Sequence, residues 1–170
     1  MSAREIVVRA LRREDAAAYR KIRLEGLKRH PEAFGSTYEV ECERPLSWFE
    51  ERRNGAEIFG AFRDGDLLGI AGFVPQQGPK EAHKGYLVAM YVRPEGRNMG
   101  IGRRLAEAVI AHARDRVEIL KLCVTAGNEP ALRLYAEIGF VQYGIEKNAM
   151  KQNGRYDDEV LMALPLSPSA

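Results

Sequence analysis

The sequence predicts a mixed α/β fold, in which one sheet carries helices on both faces. Three observations lead to this prediction. Short apolar runs typical of strands lie before, between and after segments of helical period. Asp64-Gly65 and Asn153-Gly154 each join two of these runs in the manner of a tight hairpin turn. A further apolar run, residues 87–92, is typical of a buried strand, and glycines separate it from a helix near Leu105.

The elements follow in a regular order along the chain. Strands are predicted over residues 5–11, 57–62, 67–74, 83–93, 118–125, 140–146 and 157–164. Helices are predicted from the acidic turn at 14–15 to Arg29, over 46–53, from the glycines to about Arg116, and from Asn128 onward. In the first helix we expect Ala18, Ile22 and Leu27 to face inward. Residues 165–170 are predicted to be a frayed tail.

Composition bounds the function classes. A chain of 170 residues is near the commonest size of one domain, so residues 1–170 are expected to form a single unit. The net charge is only +2 and the arginines are interspersed with acidic residues, which argues against a nucleic-acid-binding protein. No apolar run approaches the roughly 20 residues of a membrane span. Residues 1–5 lack a signal-peptide core, so a cytoplasmic location is expected.

The two cysteines do not indicate a metal site or a disulfide. Cys42 and Cys123 lie far apart, without Cys-x-x-Cys or His-rich spacing. Cys123 lies in an apolar strand pattern, where we expect a small buried side chain. No metal is therefore expected.

The junction between the strand at 87–92 and the following helix has the composition of an anion site. Backbone N–H groups in the first turn of a helix lack intrahelical partners and lie at the positive end of its dipole. Gly100 and Gly102 carry no Cβ, so a phosphate can approach their backbone closely. The same turn is surrounded by guanidinium donors, namely those of Arg93, Arg97, Arg103 and Arg104.

Two common phosphate motifs do not match this junction. A P-loop requires Gly-Lys followed by Ser or Thr, and Arg103-Arg104 follow Gly102 instead. A dinucleotide fingerprint requires Gly or Ala three residues after Gly102, where this chain has Leu105. A plain tight turn before an ordinary helix remains the simplest alternative.

Two blocks together resemble the GNAT acetyltransferase family. Arg97-x-x-Gly100-x-Gly102 after a strand is similar to that family's acyl-CoA pyrophosphate loop. The block from Asn128 to Phe140, which includes Leu134-Tyr135 and Gly139-Phe140, is similar to its following helix. The resemblance in element order covers nearly the whole chain. It implies a mixed, mostly antiparallel sheet of about seven strands flanked by about four helices.

The resemblance also implies a set of ligand contacts. The acyl donor is expected to be acetyl-CoA, whose pantetheine arm enters a gap between the strands that end near Val92 and Val124. The expected coenzyme-binding residues are Met90, Tyr91, Val92, Arg97, Asn98, Met99, Gly100, Ile101, Gly102, Arg103, Asn128 and Tyr135. Asn128 can also cap its helix. In the family the segment at 31–53 covers the acceptor pocket, and the aromatic side chains that could line it here are Phe34, Tyr38 and Trp48.

Acyl transfer from a thioester to an amine needs a proton donor for the departing thiolate and a base for the amine. The resemblance makes Tyr135 the acid, and a phenol with an ordinary pKa of about 10 suits a thiolate whose conjugate acid is near 8.5. The family's usual strand-four glutamate is missing between Gly85 and Val92, so the base stays open. The candidates are Glu39, Glu41, His83, Asp157, Glu159 or water.

The predicted activity is acetyl-CoA-dependent N-acetylation of a primary amine by direct transfer in a ternary complex. Neither cysteine has the sequence context of a low-pKa nucleophile, which favours direct transfer. The late segments resemble a bacterial branch associated with small amines and amino acids, in which Lys147, Lys151 or Arg155 could bind an acceptor carboxylate. Protein N-terminal or lysine acetylation and a non-catalytic acyl-CoA-binding module are the alternatives. A homodimer through sheet edges is a further expectation from the family.

Overall fold

A single seven-stranded sheet organises the computed structural model, which describes residues 4–51 and 55–167. Its strands are β1 (Ile6–Ala10), β2 (Glu57–Arg63), β3 (Asp66–Pro75), β4 (Lys84–Val92), β5 (Ile119–Thr125), β6 (Val141–Gln152) and β7 (Arg155–Pro165). The spatial order is β1-β2-β3-β4-β5-β7-β6. Only the β4–β5 pair is parallel among these neighbours. The prediction of a mixed, mostly antiparallel sheet is confirmed.

Five α-helices lie within the described residues, where about four were predicted. They are α1 (Ala16–Arg29), α2 (Tyr38–Glu41), α3 (Leu46–Glu50), α4 (Ile101–Ala113) and α5 (Glu129–Ile138). The additional helix is α2, a single turn too short to show a period. Thr37 begins it, because its Oγ1 accepts a hydrogen bond from Val40 N at 3.4 Å. The predicted end of α3 at residues 52–53 lies outside the described residues.

The helices cover both faces of the sheet, as predicted. On one face α4 and α5 pack over the larger apolar cluster. On the other face α1 and α3 pack over a second cluster, to which α1 contributes Ala16, Tyr19, Ile22 and Leu27. The expectation that Ala18 faces inward is wrong, because the buried stripe runs through Tyr19 and Ile22 and leaves Ala18 exposed.

Both predicted hairpin turns are present. Asp64 and Gly65 have φ of 53° and 85° between β2 and β3, and Asn153 and Gly154 have 51° and 77° between β6 and β7. The last two strands are longer than predicted, because the ladder is irregular between Glu146 and Met150 and this hides the alternation of side chains.

The predicted frayed tail starts too early. Pro165 is the last residue of β7, and Leu166 N donates to Glu118 O at 2.8 Å. This hydrogen bond ties the end of the described chain to the residue that precedes β5. Residues 168–170 lie outside the described residues.

Strand β6 lies at one edge of the sheet. Val141, Tyr143 and Ile145 on this strand are exposed, with relative exposures of 66%, 51% and 49%. The homodimer stays a prediction, and this edge is one place to test it. Among the described residues, no helix combines the length and the apolar character that a membrane crossing requires.

The feature that creates the site is the divergence of β4 from β5. The two strands pair only between residues 84–86 and 119–121. Beyond Tyr86 the β3–β4 register shifts, so that two steps along β3 oppose three along β4, and Ala89 adopts φ of 55°. A bulge bends its strand and increases the local twist. The predicted gap between the strands is therefore present.

A buried ion pair fixes the segment between α1 and β2 over this gap. Glu41 of α2 is 2% exposed, and its two carboxylate oxygens accept hydrogen bonds from Nε and Nη2 of Arg23 at 2.6 and 2.7 Å. The rupture of such a pair is costly, because one charge is left buried without a partner.

We predict that Glu41→Gln lowers the free energy of unfolding by about 3 kcal/mol, because the Arg23 charge stays buried without compensation. Urea-induced unfolding at pH 7 measures this change. Glu39→Gln, on an exposed neighbour of the same helix, is the matched control and should change stability by less than about 0.5 kcal/mol. Equal, small effects of the two variants would contradict the structural role of the pair.

Candidate functional site

A cavity of about 400 Å³ lies in the gap between β4 and β5. Its walls are the middle of β4, residues 86–90, on one side and β5 with the first turns of α5 on the other. The roof segment, which we define as residues 31–35 after α1, covers it. Thr125 Oγ1 of β5 donates to Glu32 O at 3.0 Å and holds the roof segment against the sheet. The cavity is therefore bounded by elements from both sides of the divergence.

Three of the predicted coenzyme-binding residues line this cavity, namely Met90, Asn128 and Tyr135. Tyr91 and Val92 do not line it. The Tyr91 ring lies in the core under α1, its hydroxyl donates to Glu25 Oε1 at 2.9 Å, and burial together with Glu25 raises its pKa to about 12. The predicted contact through the backbone of these residues stays a prediction.

The glycine loop at the end of β4 has the predicted shape. Asn98 and Gly100 have φ of 61° and 72°, and α4 begins at Ile101 without a side-chain cap. Within the part of the chain that the structure describes, the backbone N–H groups of residues 98–103 donate no hydrogen bond to a protein acceptor. The loop is exposed from Arg97 to Gly100. It thus offers a run of unpaired donors at the positive end of a 13-residue helix.

The four arginines near this loop have different roles. Arg93 is directed inward, where Nε donates to Glu25 Oε2 at 3.0 Å and Nη1 to Leu67 O at 2.9 Å. Arg104 donates to Ile6 O of β1 at 2.7 Å. Each of these two guanidinium groups therefore already bonds to another part of the fold, and their role as phosphate donors stays a prediction.

Arg97 and Arg103 are exposed, as Arg104 is, but their hydrogen-bond contacts are with other side chains and not with the backbone. Arg97 Nη2 lies 3.2 Å from His30 Nε2, and His30 Nδ1 lies 3.3 Å from Glu32 Oε1. Arg103 Nε donates to Glu107 Oε1 at 3.1 Å. Contacts between exposed side chains are weak, so both guanidinium groups can turn toward an anion at the loop.

Tyr135 lies at the bottom of the cavity and is 5% exposed. Its ring packs edge to face with that of Phe140, and the two ring centroids lie 5.8 Å apart. Among the described residues, no hydrogen bond involves its hydroxyl. Burial raises the Tyr135 pKa far above that of a free phenol, so the expectation of an ordinary phenol pKa does not hold.

Asn128 combines the two roles that the sequence allowed. Its Oδ1 accepts a hydrogen bond from Ala131 N at 3.4 Å and caps α5. Its side chain also borders the cavity, and the described hydrogen bonds leave its Nδ2 group unused. One atom of the amide therefore serves the fold while the other can serve a ligand.

Of the side chains considered as the base, Glu159 of β7 lines the cavity and the others do not. Both carboxylate oxygens of Glu41 are bound to Arg23, and Glu39 is exposed on α2. His83 precedes β4 at the far end of the gap and is exposed. Asp157 lies on β7 but outside the cavity lining. In the described chain, no cluster of three or more His, Cys, Asp or Glu residues could hold a metal ion.

Several residues of the cavity wall were not predicted from the sequence. Arg23, Glu32 and Cys123 all line it. Cys123 is exposed and not buried as expected, because it alternates along β5 with the buried Leu122 and Val124. The residue as a whole is exposed, but its thiol is partly desolvated at the cavity wall, and this desolvation, followed by the charge of Glu159, raises the Cys123 pKa to about 11. The alternation of side chains along β5 is the sequence signal for the exposure of Cys123.

The expected acceptor contacts are met only in part. Phe34 lines the cavity, whereas Tyr38 and Trp48 do not. None of the basic residues proposed for an acceptor carboxylate, Lys147, Lys151 and Arg155, lines the cavity either. Lys147 instead forms an ion pair with Asp158 at 3.0 Å.

Comparison with known proteins places this geometry in a family. The sequence model described as the acetyltransferase (GNAT) family matches residues 23–140. An L-amino acid N-acetyltransferase of Escherichia coli is 29% identical over 163 residues, which cover 94% of this chain and 97% of that enzyme. A phosphinothricin N-acetyltransferase of Alcaligenes faecalis is 34% identical over 116 residues, 66% of this chain and 58% of that enzyme.

A solved structure shows the same fold. The yncA protein of Salmonella typhimurium, solved with its cofactor acetyl-CoA, superposes with a TM-score of 0.81 at 22% identity. The superposition covers 97% of this chain and 96% of that one. The seven strands and their helices therefore recur in a protein that holds acetyl-CoA.

The environment of Cys123 generates a prediction that needs no ligand. A rise of its pKa from 9.0 to about 11 reduces the thiolate fraction at pH 8 about 100-fold. In a Cys42→Ser variant, we expect iodoacetamide to label Cys123 slowly at pH 8, with a rate that rises about tenfold per pH unit up to the pKa. Denaturation in urea should accelerate the labelling about 100-fold. A folded-state rate that levels off near pH 9 would contradict the raised pKa.

Proposed function

The chain belongs to the GNAT family of acetyltransferases, and we propose that it transfers the acetyl group of acetyl-CoA to the primary amine of an amino acid or a similar small molecule. The observation that carries this proposal is one strand, β4, which diverges from β5 at its middle and leads into a loop of unpaired N–H groups at its end. The divergence can take an extended arm, and the loop can take phosphates.

Coenzyme binding follows from that arrangement. The diphosphate would accept hydrogen bonds from the amides of residues 98–103, with Arg97 and Arg103 as charged donors. The pantetheine arm would run along the backbone of residues 90–92 and reach the Nδ2 group of Asn128. The thioester would then lie in the cavity above Tyr135. The acetyl-CoA bound to the yncA protein supports the choice of coenzyme.

The buried phenol of Tyr135 is suited to hold a proton until the thiolate departs. Its raised pKa makes it a weak acid in water, but a thiolate that leaves inside the same cavity is also desolvated. Cys123 reports this effect, since its own thiol has a pKa of about 11 there. Both the phenolate and the thiolate therefore bind a proton more tightly in the cavity than in water. The difference between their two pKa values is smaller than the raised pKa of Tyr135 alone suggests.

Direct transfer in a ternary complex is favoured over an acyl-enzyme. Cys123 is the cysteine that lines the cavity, and its raised pKa keeps it protonated near neutral pH. A protonated thiol is a poor nucleophile toward a thioester. The amine of the acceptor should therefore attack the thioester itself.

The acceptor is proposed to be small. A cavity of about 400 Å³ covered by Phe34 and its neighbours accommodates an amino acid together with the end of the pantetheine arm. The match to an L-amino acid N-acetyltransferase over nearly both whole chains supports the same class. A peptide substrate would require a groove open beyond the roof segment.

An amine panel tests this function. Purified protein is mixed with acetyl-CoA and single amino acids, small amines or an N-terminal peptide, and both thiol release and the mass of each acceptor are followed. We expect thiol release together with a gain of one acetyl group on amino acids or small amines. Acetylation of the peptide alone, or coenzyme binding without any transfer, would contradict the proposal.

Tyr135→Phe should lower kcat at least about 100-fold, because the hydroxyl that protonates the thiolate is lost. Affinity for acetyl-CoA should change little, since the ring and its packing on Phe140 remain. Single-turnover kinetics with the best acceptor of the panel measures the chemical step, and equilibrium dialysis measures the affinity. An unchanged single-turnover rate would remove Tyr135 from the mechanism.

Gly102→Asp separates phosphate binding from folding. An added carboxylate in the first turn of α4 favours the helix dipole but repels a diphosphate, so KM for acetyl-CoA should rise at least about tenfold while Tm does not fall. Gly102→Ala is the matched control, because a Cβ there would lie 3.4 Å from Leu134 Cδ2, an ordinary contact. If the two variants had the same KM, the loop would be only a turn.

A further inference from the structure

We propose that Glu159 of β7 is the general base that removes a proton from the acceptor amine. This inference rests on the proposed function and adds a residue to it. Glu159 is half-buried and lines the cavity from the wall formed by β5 and β7. Strand β4, by contrast, brings no carboxylate to the cavity from its residues 85–92. A carboxylate base for the amine would therefore come from another element.

The register of the sheet places Glu159 beside the end of β5, close in sequence to the start of α5. Glu159 is opposite Thr125, the last residue of β5. Asn128, the cap of α5, follows three residues later and lines the same cavity. The helix that starts there carries Tyr135. The proposed base on β7 and the proposed acid on α5 thus border one space, in which the thioester and the amine would meet.

The surroundings of Glu159 favour a proton acceptor over a permanently ionised group. Cys123 faces it from β5 and Glu146 from β6, and across the cavity lie Arg23, Glu32 and Tyr135. Among the described residues, Glu159 forms no ion pair with a cation. Burial, and then the charge of Glu146, raise the Glu159 pKa, and a carboxylate with a raised pKa is a stronger base.

Glu32 is the other carboxylate of the cavity wall, and its position is less suitable. Its side chain is 42% exposed, and Oε1 lies 3.3 Å from His30 Nδ1. His30 in turn contacts Arg97, at the start of the glycine loop. Glu32 is therefore engaged at the outer rim, where water competes for the amine.

The proposed step balances as follows. The Glu159 carboxylate takes one proton from the acceptor ammonium and exposes the nitrogen lone pair, which forms a bond to the thioester carbon. The carbon–sulfur bond then breaks, and the Tyr135 hydroxyl gives its proton to the leaving sulfur. The phenolate recovers a proton from the amide nitrogen, and Glu159 releases its proton to solvent. The products are the acetylated amine, the free thiol of CoA and one proton.

The test compares Glu159→Gln with Glu32→Gln, using the best acceptor of the panel. We expect Glu159→Gln to lower kcat at neutral pH about 100-fold or more and to abolish its rise with pH, with unchanged acetyl-CoA affinity. Glu159→Asp keeps a carboxylate and should retain the rise with pH. Glu32→Gln removes the other carboxylate of the cavity wall and should retain the rise of kcat with pH. The reverse pattern would assign the base to Glu32 and overturn the inference.

A third variant tests the pKa of Glu159 without touching it. Glu146→Gln removes a neighbouring negative charge, so the rise of kcat with pH should move to lower pH while its plateau is unchanged. Wild-type turnover with a normal pH profile in Glu159→Gln would refute the base but leave the proposed function intact. Absence of wild-type turnover with every amine would refute both.

Discussion

The bulge in β4 is the constraint on which the rest of the site depends. A regular parallel pair would continue to bond along its length and leave no space between its strands. Here the extra residue near Ala89 ends the β4–β5 pairing after Tyr86, so backbone groups of both strands face a cavity instead of each other. Every ligand contact proposed inside the cavity depends on this interruption of the β4–β5 pairing.

The two halves of the proposed site meet on this one strand. The same β4 that borders the cavity at Met90 ends in the loop that leads to Gly100 and α4. A single strand can therefore hold both ends of a ligand that carries a diphosphate at one end and a thioester at the other. The second wall is supplied by β5, β7 and α5, which bring Glu159, Cys123 and Tyr135 from widely separated parts of the sequence.

Local sequence patterns predicted most of the fold because local chemistry determines it. The turns at Asp64-Gly65 and Asn153-Gly154, the cap at Asn128 and the glycine loop each depend on a few adjacent residues. The four-residue helix α2 and the irregular middle of β6 were missed, because neither is long enough or regular enough to show a period.

The wall of the site was harder to predict, because it depends on register. Whether Cys123 faces the core or the cavity is decided by its place in the alternation of β5, and the strand pattern was interpreted as wholly buried. Arg93 lies just before the glycine loop in the sequence, but its guanidinium bonds to Glu25 of α1 in the interior. Such pairings join residues far apart in the chain, and no local pattern reveals them.

Calorimetric titration with CoA tests the central claim, that β4 and its loop hold the coenzyme, most directly. We expect one CoA site per chain, with an affinity that falls as salt is raised because phosphate contacts contribute to it. Competition with inorganic pyrophosphate should weaken CoA binding. A well-folded protein that took up no CoA at low salt, or took it up equally well when pyrophosphate saturated the loop, would contradict the account.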